Sequence, residues 1–144
     1  MKRERIMVAV IDGQGGGMGR ALVEQVKRTF PSLYVRALGT NAVATTAMLK
    51  AGADDGATGE NAIVYNAGQV QVILGPMAIL AANGLLGEIT PQMAAAVGGS
   101  RALKILLPSQ RCNIRLAVET LQPMQVYLEN AMRMLGKAVE QFLE

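Results

Sequence analysis

The sequence predicts an α/β chain: a single-domain, Rossmann-like three-layer sandwich. Its mostly parallel sheet should hold 5–6 strands, with helices on both faces. Three observations carry this. Short apolar, β-favouring runs alternate with helical patterns along the chain. The first run, Ile6–Ile11, shows no polar alternation, as expected of a strand buried on both faces. It then passes directly into a turn with five glycines and on into a helix.

The elements follow in order. The first helix spans about Gly17–Thr29, with Leu22, Val23 and Val26 inward, and Pro31 ends it. A second strand, about Leu33–Leu38, leads to Gly39-Thr40-Asn41, where Thr40 or Asn41 is a natural cap for a helix over Ala42–Ala51. Ala53–Ala57 reads as a short edge strand, its Asp54 and Asp55 blunting unwanted pairing. A short helix then runs to Ala67, and Val70–Leu74 reads as a buried strand. Met77–Leu86, apolar almost all round with Pro76 at its start, predicts a helix buried in the core or in an oligomer contact. Thr90-Pro91 opens another helix to about Val97. Lys104–Leu107 and Ile114–Val118 read as the last strands. A C-terminal helix from near Pro123 has a stripe of Leu128, Met132, Leu135, Val139 and Phe142. The expected strand order is 3-2-1-4-5-6, with a five-stranded flavodoxin-like order as the alternative.

Whole-chain properties bound the function. At 144 residues the chain is read as one domain, 1–144, able to bury a core without metal or disulfide help. The net charge of +3 is scattered and aromatics make up 3%, which points away from nucleic acid. Cys112 is the lone cysteine, so no internal disulfide forms, and a reducing cytoplasm suits the chain. The longest apolar region, Val70–Leu86, is interrupted and falls short of a membrane span. With no histidine, imidazole bases and histidine metal sites are excluded, and no metal is expected.

In such sheets ligands sit beyond the carboxyl ends of the strands, near the first strand. The loops expected there gather the candidate binding residues: Asp12, Gly13, Gln14, Gly15, Gly16, Gly17, Met18 and Gly19, then Thr40, Asn41, Thr45, Glu60, Asn61, Arg111 and Asn113. Gly13, Gly17 and Gly19 fit G-x-x-x-G-x-G, the spacing of short-chain dehydrogenases. Glycine permits close approach of a phosphate to backbone amides, and it equally permits tight packing. The acid expected about twenty residues on, to hold ribose hydroxyls, is missing: Leu38-Gly39-Thr40-Asn41 stands there. The Tyr-x-x-x-Lys catalytic pair is missing too, as is the Gly-Lys-Ser/Thr phosphate motif. Asp12 either meets a ligand or metal, or caps its own loop. Thr40, Asn41 and Thr45 either contact ligand or cap a helix. Glu60, with Asn61, is a helix first-turn acid or an acid–base group. Arg111 can clamp an anion; Cys112 as a nucleophile lacks an evident base.

The segments DGQGGGMG (12–19), ALGTNAVATTAMLKAGADDGATGENAIVYNA (37–67) and ILLPSQRCNI (105–114) resemble a family of small bacterial proteins known as a domain of unknown function, DUF3842. The resemblance implies a cytoplasmic bacterial protein with a Rossmann-like fold and passes no catalytic role to any residue. The expected function is binding of a nucleotide or phosphorylated metabolite at the glycine loop, with homo-oligomer formation through 77–86. The alternatives are an enzyme using Asp12 or Glu60 as acid or base, and a non-catalytic structural component of an oligomer.

Overall fold

The computed structural model describes residues 2, 6–109 and 113–144. Five strands form one parallel sheet: β1 (Met7–Asp12), β2 (Tyr34–Gly39), β3 (Asp55–Thr58), β4 (Val72–Pro76) and β5 (Leu103–Leu107). Their order is β3-β2-β1-β4-β5, so β1 is central and the chain reverses direction across the sheet between β3 and β4. This is the expected order without its sixth strand. In register, β1 pairs Val8 with Val35 of β2 and with Val72 of β4.

Burial on both faces explains the unbroken apolar strands. Val8 and Val10 point into one layer with Val35, Ala37, Val72 and Leu74, under Leu22, Val23 and Val26 of α1 (Gly17–Thr29). Met48 of α2 (Ala42–Lys50) and the stripe Leu128, Met132, Leu135 and Val139 of α5 (Met124–Leu143) complete that layer. Ala9, Ile11, Leu38 and Ile73 point the other way, onto Ile63 and Ala67 of α3 (Glu60–Ala67) and Met93 and Val97 of α4 (Pro91–Gly98). The alternation along each strand therefore serves two cores, one per face.

The β3 edge carries the expected charges, and they are stitched in. Arg36 of β2 donates to both oxygens of Asp55, at 2.8 and 2.7 Å. Asp54 accepts from the Val35 amide at 2.8 Å and from the Lys27 ammonium at 3.0 Å.

Two expected elements do not form. Met77–Leu86 is not a helix: a 3₁₀ turn covers Met77–Leu80 and a compact loop follows. Asn83, Leu85 and Leu86 have φ of 64°, 55° and 57°, and Gly87 has 90°, none compatible with a helix. The loop is closed by its own backbone bonds, Asn83 N–H to the Ile89 carbonyl and Ile89 N–H to that of Gly84. Ala78, Ile79 and Leu85 are buried beneath it, which is why the run is apolar, while Leu86 is 95% exposed. Ile114–Val118 is not a strand either. Pro108 follows β5, Asn113 takes φ 55°, and Arg115 to Val118 face solvent. Among the described residues, no helix is long and apolar enough to cross a membrane.

Candidate functional site

Three loops meet beyond the carboxyl end of β1: the glycine turn (12–19), the β2–α2 turn (39–41) and the loop 81–89. The glycine turn and the loop 81–89 border a cavity of about 190 Å³, lined by Asp12, Gly13, Gln14, Gly15, Gly16, Gly17 and Met18, with Pro76, Ala78, Leu85 and Ser109; Thr40, Asn41 and Thr45 are outside its lining.

Asp12 organises the turn from inside. The residue is 5% exposed, and its Oδ1 accepts from Gly13 N–H and its Oδ2 from Gly19 N–H, both at 2.7 Å. The carboxylate thus spans the turn and ties strand end to the first turn of α1. A carboxylate is favoured here, because α1 has no acidic side chain in its first turn to meet its positive end.

The five glycines divide into two sets. Gly13, Gly16 and Gly19 are buried, and a Cβ on any of them would collide: with Thr40 Oγ1 at 2.7 Å, the Ala44 backbone at 2.9 Å, and Met48 Sδ at 2.6 Å. Gly16 also sits at φ 75° as the residue before α1. These three are glycine because the turn packs against α2 and the β2–α2 loop. Gly15 and Gly17 are exposed, and a Cβ on either would meet nothing within 4 Å. Packing does not require them.

The backbone amides divide similarly. Gly13 and Gly19 donate to Asp12, Gly16 donates to the Gly13 carbonyl at 2.9 Å, and Gln14, at φ 50°, donates to Glu88 at 2.9 Å. Among the described residues, none supplies an acceptor to the N–H groups of Gly15, Gly17 or Met18. These amides lie at the α1 N-terminus, on residues lining the cavity.

Glu88 is the residue that sequence reasoning missed. Its Oε1 accepts from Gln14 N–H, from the Thr40 hydroxyl at 2.5 Å and from the Asn41 side-chain amide at 2.9 Å. The Thr40 hydroxyl, helped by the Gln14 and Asn41 donors, holds the Glu88 carboxyl below the usual range against the opposing effect of burial. The loop 81–89 is thereby fastened over Gly13.

The remaining candidates scatter. Asn41 caps α2, accepting from Ala44 N–H at 2.9 Å, and also donates to the Gln14 carbonyl at 3.0 Å. Thr45 is buried, with its hydroxyl on the Asn41 carbonyl and the Thr58 hydroxyl. Glu60 and Asn61 are exposed at the start of α3, where Glu60 accepts from the Thr90 hydroxyl; neither lines the cavity, nor does Asn113. Arg111 and Cys112 lie outside the described residues.

A parallel α/β sheet with a glycine turn at the end of its central strand defines a Rossmann-like protein. Residues 7–140 match the family described as a domain of unknown function (DUF3842), and the chain belongs to that family. No curated protein matches the sequence. Among solved structures the chain is similar to a dodecameric FMN-dependent Ubix-like decarboxylase from Escherichia coli O157:H7. The identity is 17%, over 90% of this chain and 75% of that one, with a TM-score of 0.46.

Proposed function

We propose that this protein binds a nucleotide or phosphorylated metabolite through its glycine turn, with the phosphate on the amides of Gly15, Gly17 and Met18. The observation that carries this reading is the coincidence of two properties at Gly15 and Gly17. Both are glycine without any neighbour that would exclude a side chain, and both present an N–H without an acceptor among the described residues. Close approach of a phosphate accounts for both at once, and the positive end of α1 favours the charge. The ligand need not be large: the cavity of about 190 Å³ takes a phosphate and part of what it is attached to.

The enzymatic alternative draws less support from the same geometry. Asp12 has each oxygen on a backbone amide, and Glu60 lies away from the cavity. We place the binding activity in a bacterial cytoplasm, where the lone cysteine stays reduced, and in a homo-oligomer.

The test is a melting-temperature screen against pyrophosphate, nucleoside phosphates and sugar phosphates. A compound at about 100 times its Kd should stabilise by roughly 2.7 kcal/mol. Gly17→Ala should fold normally, since its Cβ meets nothing, and should weaken binding by filling the approach to the amides. A screen in which no phosphorylated compound shifts the melt, with Gly17→Ala folded as wild type, overturns the proposal.

A further inference from the structure

The acid that the sequence lacks at the end of β2 is supplied there by another part of the chain. In dinucleotide-binding sheets a carboxylate beside the glycine turn, at the end of the second strand, accepts from sugar hydroxyls. Here that strand ends in Gly39-Thr40-Asn41, without an acid. Glu88, some fifty residues further along, is bonded to Thr40, to Asn41 and to the Gln14 amide of the glycine turn. Its carboxylate therefore stands where β2 and the glycine turn meet.

We propose that Glu88 is the sugar-recognising residue of this site, and that the ligand carries a vicinal diol beside its phosphate. This rests on the phosphate reading above and adds the ligand's second recognised group. All three protein donors converge on Oε1, leaving Oε2 without a hydrogen bond among the described residues. Glu88 is only half-buried; it stands against Gly13, which lines the phosphate cavity, without lining that cavity itself. A carboxylate oxygen fixed at this point repels a phosphate and accepts from hydroxyls. The charge thus sorts the ligand along the turn: phosphate at the Gly15–Met18 end, hydroxyl donors at the Gln14–Thr40 end.

The surroundings of the phosphate cavity favour a ribonucleotide over a bare sugar phosphate. A second recess, of about 540 Å³, shares Gln14 and Leu85 with the phosphate cavity and is walled by Ala82, Asn83 and Leu86 of the same loop. It is mainly apolar and large enough for a flat neutral group such as a base.

The experiment titrates wild type and Glu88→Gln by calorimetry with four probes: pyrophosphate, ADP, 2′-deoxy-ADP and ribose 5-phosphate. A hydrogen bond to a charged acceptor is worth about tenfold in affinity or more. Wild type should therefore bind ADP about tenfold or more tightly over 2′-deoxy-ADP. Glu88→Gln, whose side-chain oxygen can still take the three loop donors, should lose most of that preference. It should bind pyrophosphate at least as well as wild type, because a repelling charge is gone. Tighter binding of ADP than of ribose 5-phosphate supports the ribonucleotide; equal binding leaves the diol assigned and overturns the base recess. Equal wild-type affinity for ADP and 2′-deoxy-ADP, with pyrophosphate bound, overturns the role of Glu88 and leaves the phosphate cradle standing. That comparison needs no variant to fold. Failure of all four probes overturns both.

Discussion

The glycine turn has an inner rim and an outer rim, and they are glycine-rich for different reasons. Gly13, Gly16 and Gly19 on the inner rim lie so close to α2 and the β2–α2 loop that a methyl group has no room. Gly15 and Gly17 on the outer rim have open space where a methyl would stand. Sequence alone offers packing and ligand approach as rival explanations of one motif. In the structure the two explanations fall on different residues only one or two positions apart, and each can be broken separately.

The largest effect belongs to the group that holds the inner rim together. Asp12→Ala removes the acceptor from two N–H groups, one of them in the buried helix start. At about 1–3 kcal/mol for each buried donor left unsatisfied, the loss should reach roughly 2–6 kcal/mol. Asp12→Asn, which retains one acceptor oxygen and turns a donor toward the other N–H, should lose at least half as much. Urea melts measure both. An Asp12→Ala protein within about 1 kcal/mol of wild type would mean the turn is shaped by its neighbours and not by this carboxylate.

Gly16→Ala comes next. Its Cβ would lie 2.9 Å from the Ala44 backbone, at a φ of 75° that costs an L-residue about 1–2 kcal/mol by itself. With the overpacking added, about 2–4 kcal/mol should be lost, visible as a lower urea midpoint at unchanged slope. Gly17→Ala is its counterpart on the outer rim. Its stability should stay level or rise by about 0.4–1 kcal/mol, because alanine restricts the unfolded chain. The pair sharpens the contrast: the first variant should fail by unfolding, the second by losing pyrophosphate while folded. If Gly17→Ala melts as early as Gly16→Ala, the division of the two rims is wrong.

How far the site was legible follows the same division. β1, α1 and the glycine turn can be read because the signal is local: a run of apolar residues, then glycines, then a 3.6-residue pattern, within one stretch. The edge position of β3 is legible from Asp54 and Asp55, although their partners Lys27, Arg36 and Val35 are not. The loop 81–89 is misread because apolar Leu85 and Leu86 continue the pattern of Ile79 and Leu80, and burial beneath a loop produces the same composition as a buried helix. Asn83-Gly84 and Gly87 are the turn signals that separate the two. Glu88 could not be found in this way. Its bond to Gln14 joins residues 74 apart in sequence, and no pattern along the chain encodes that proximity.

The smallest effect tests the fastening of that loop through pH. The Glu88 carboxyl is held below its ordinary value chiefly by the Thr40 hydroxyl and the Gln14 amide, and the Asp55 carboxyl is held low chiefly by the Arg36 guanidinium. A carboxyl with a depressed folded value stabilises the fold fully above its unfolded value, near about 4, and loses that contribution as pH falls through the folded value. Stability should therefore decline from about pH 5 downward, with one component from the glycine-turn side and one from the β3 edge. Glu88→Gln should flatten the first component and leave the second, while Asp55→Asn should do the reverse. The two differ in salt response as well: Asp55 faces a cation in a partly exposed pair, so its component should shrink in high salt, whereas Glu88 is held by neutral donors and its component should persist. Urea midpoints measured across this range at low and high salt separate them. A Glu88→Gln curve as steep as wild type at every salt concentration would show that the loop 81–89 is kept in place by Leu85 and its own backbone bonds, and that the carboxylate is free of structural duty and available to a ligand alone.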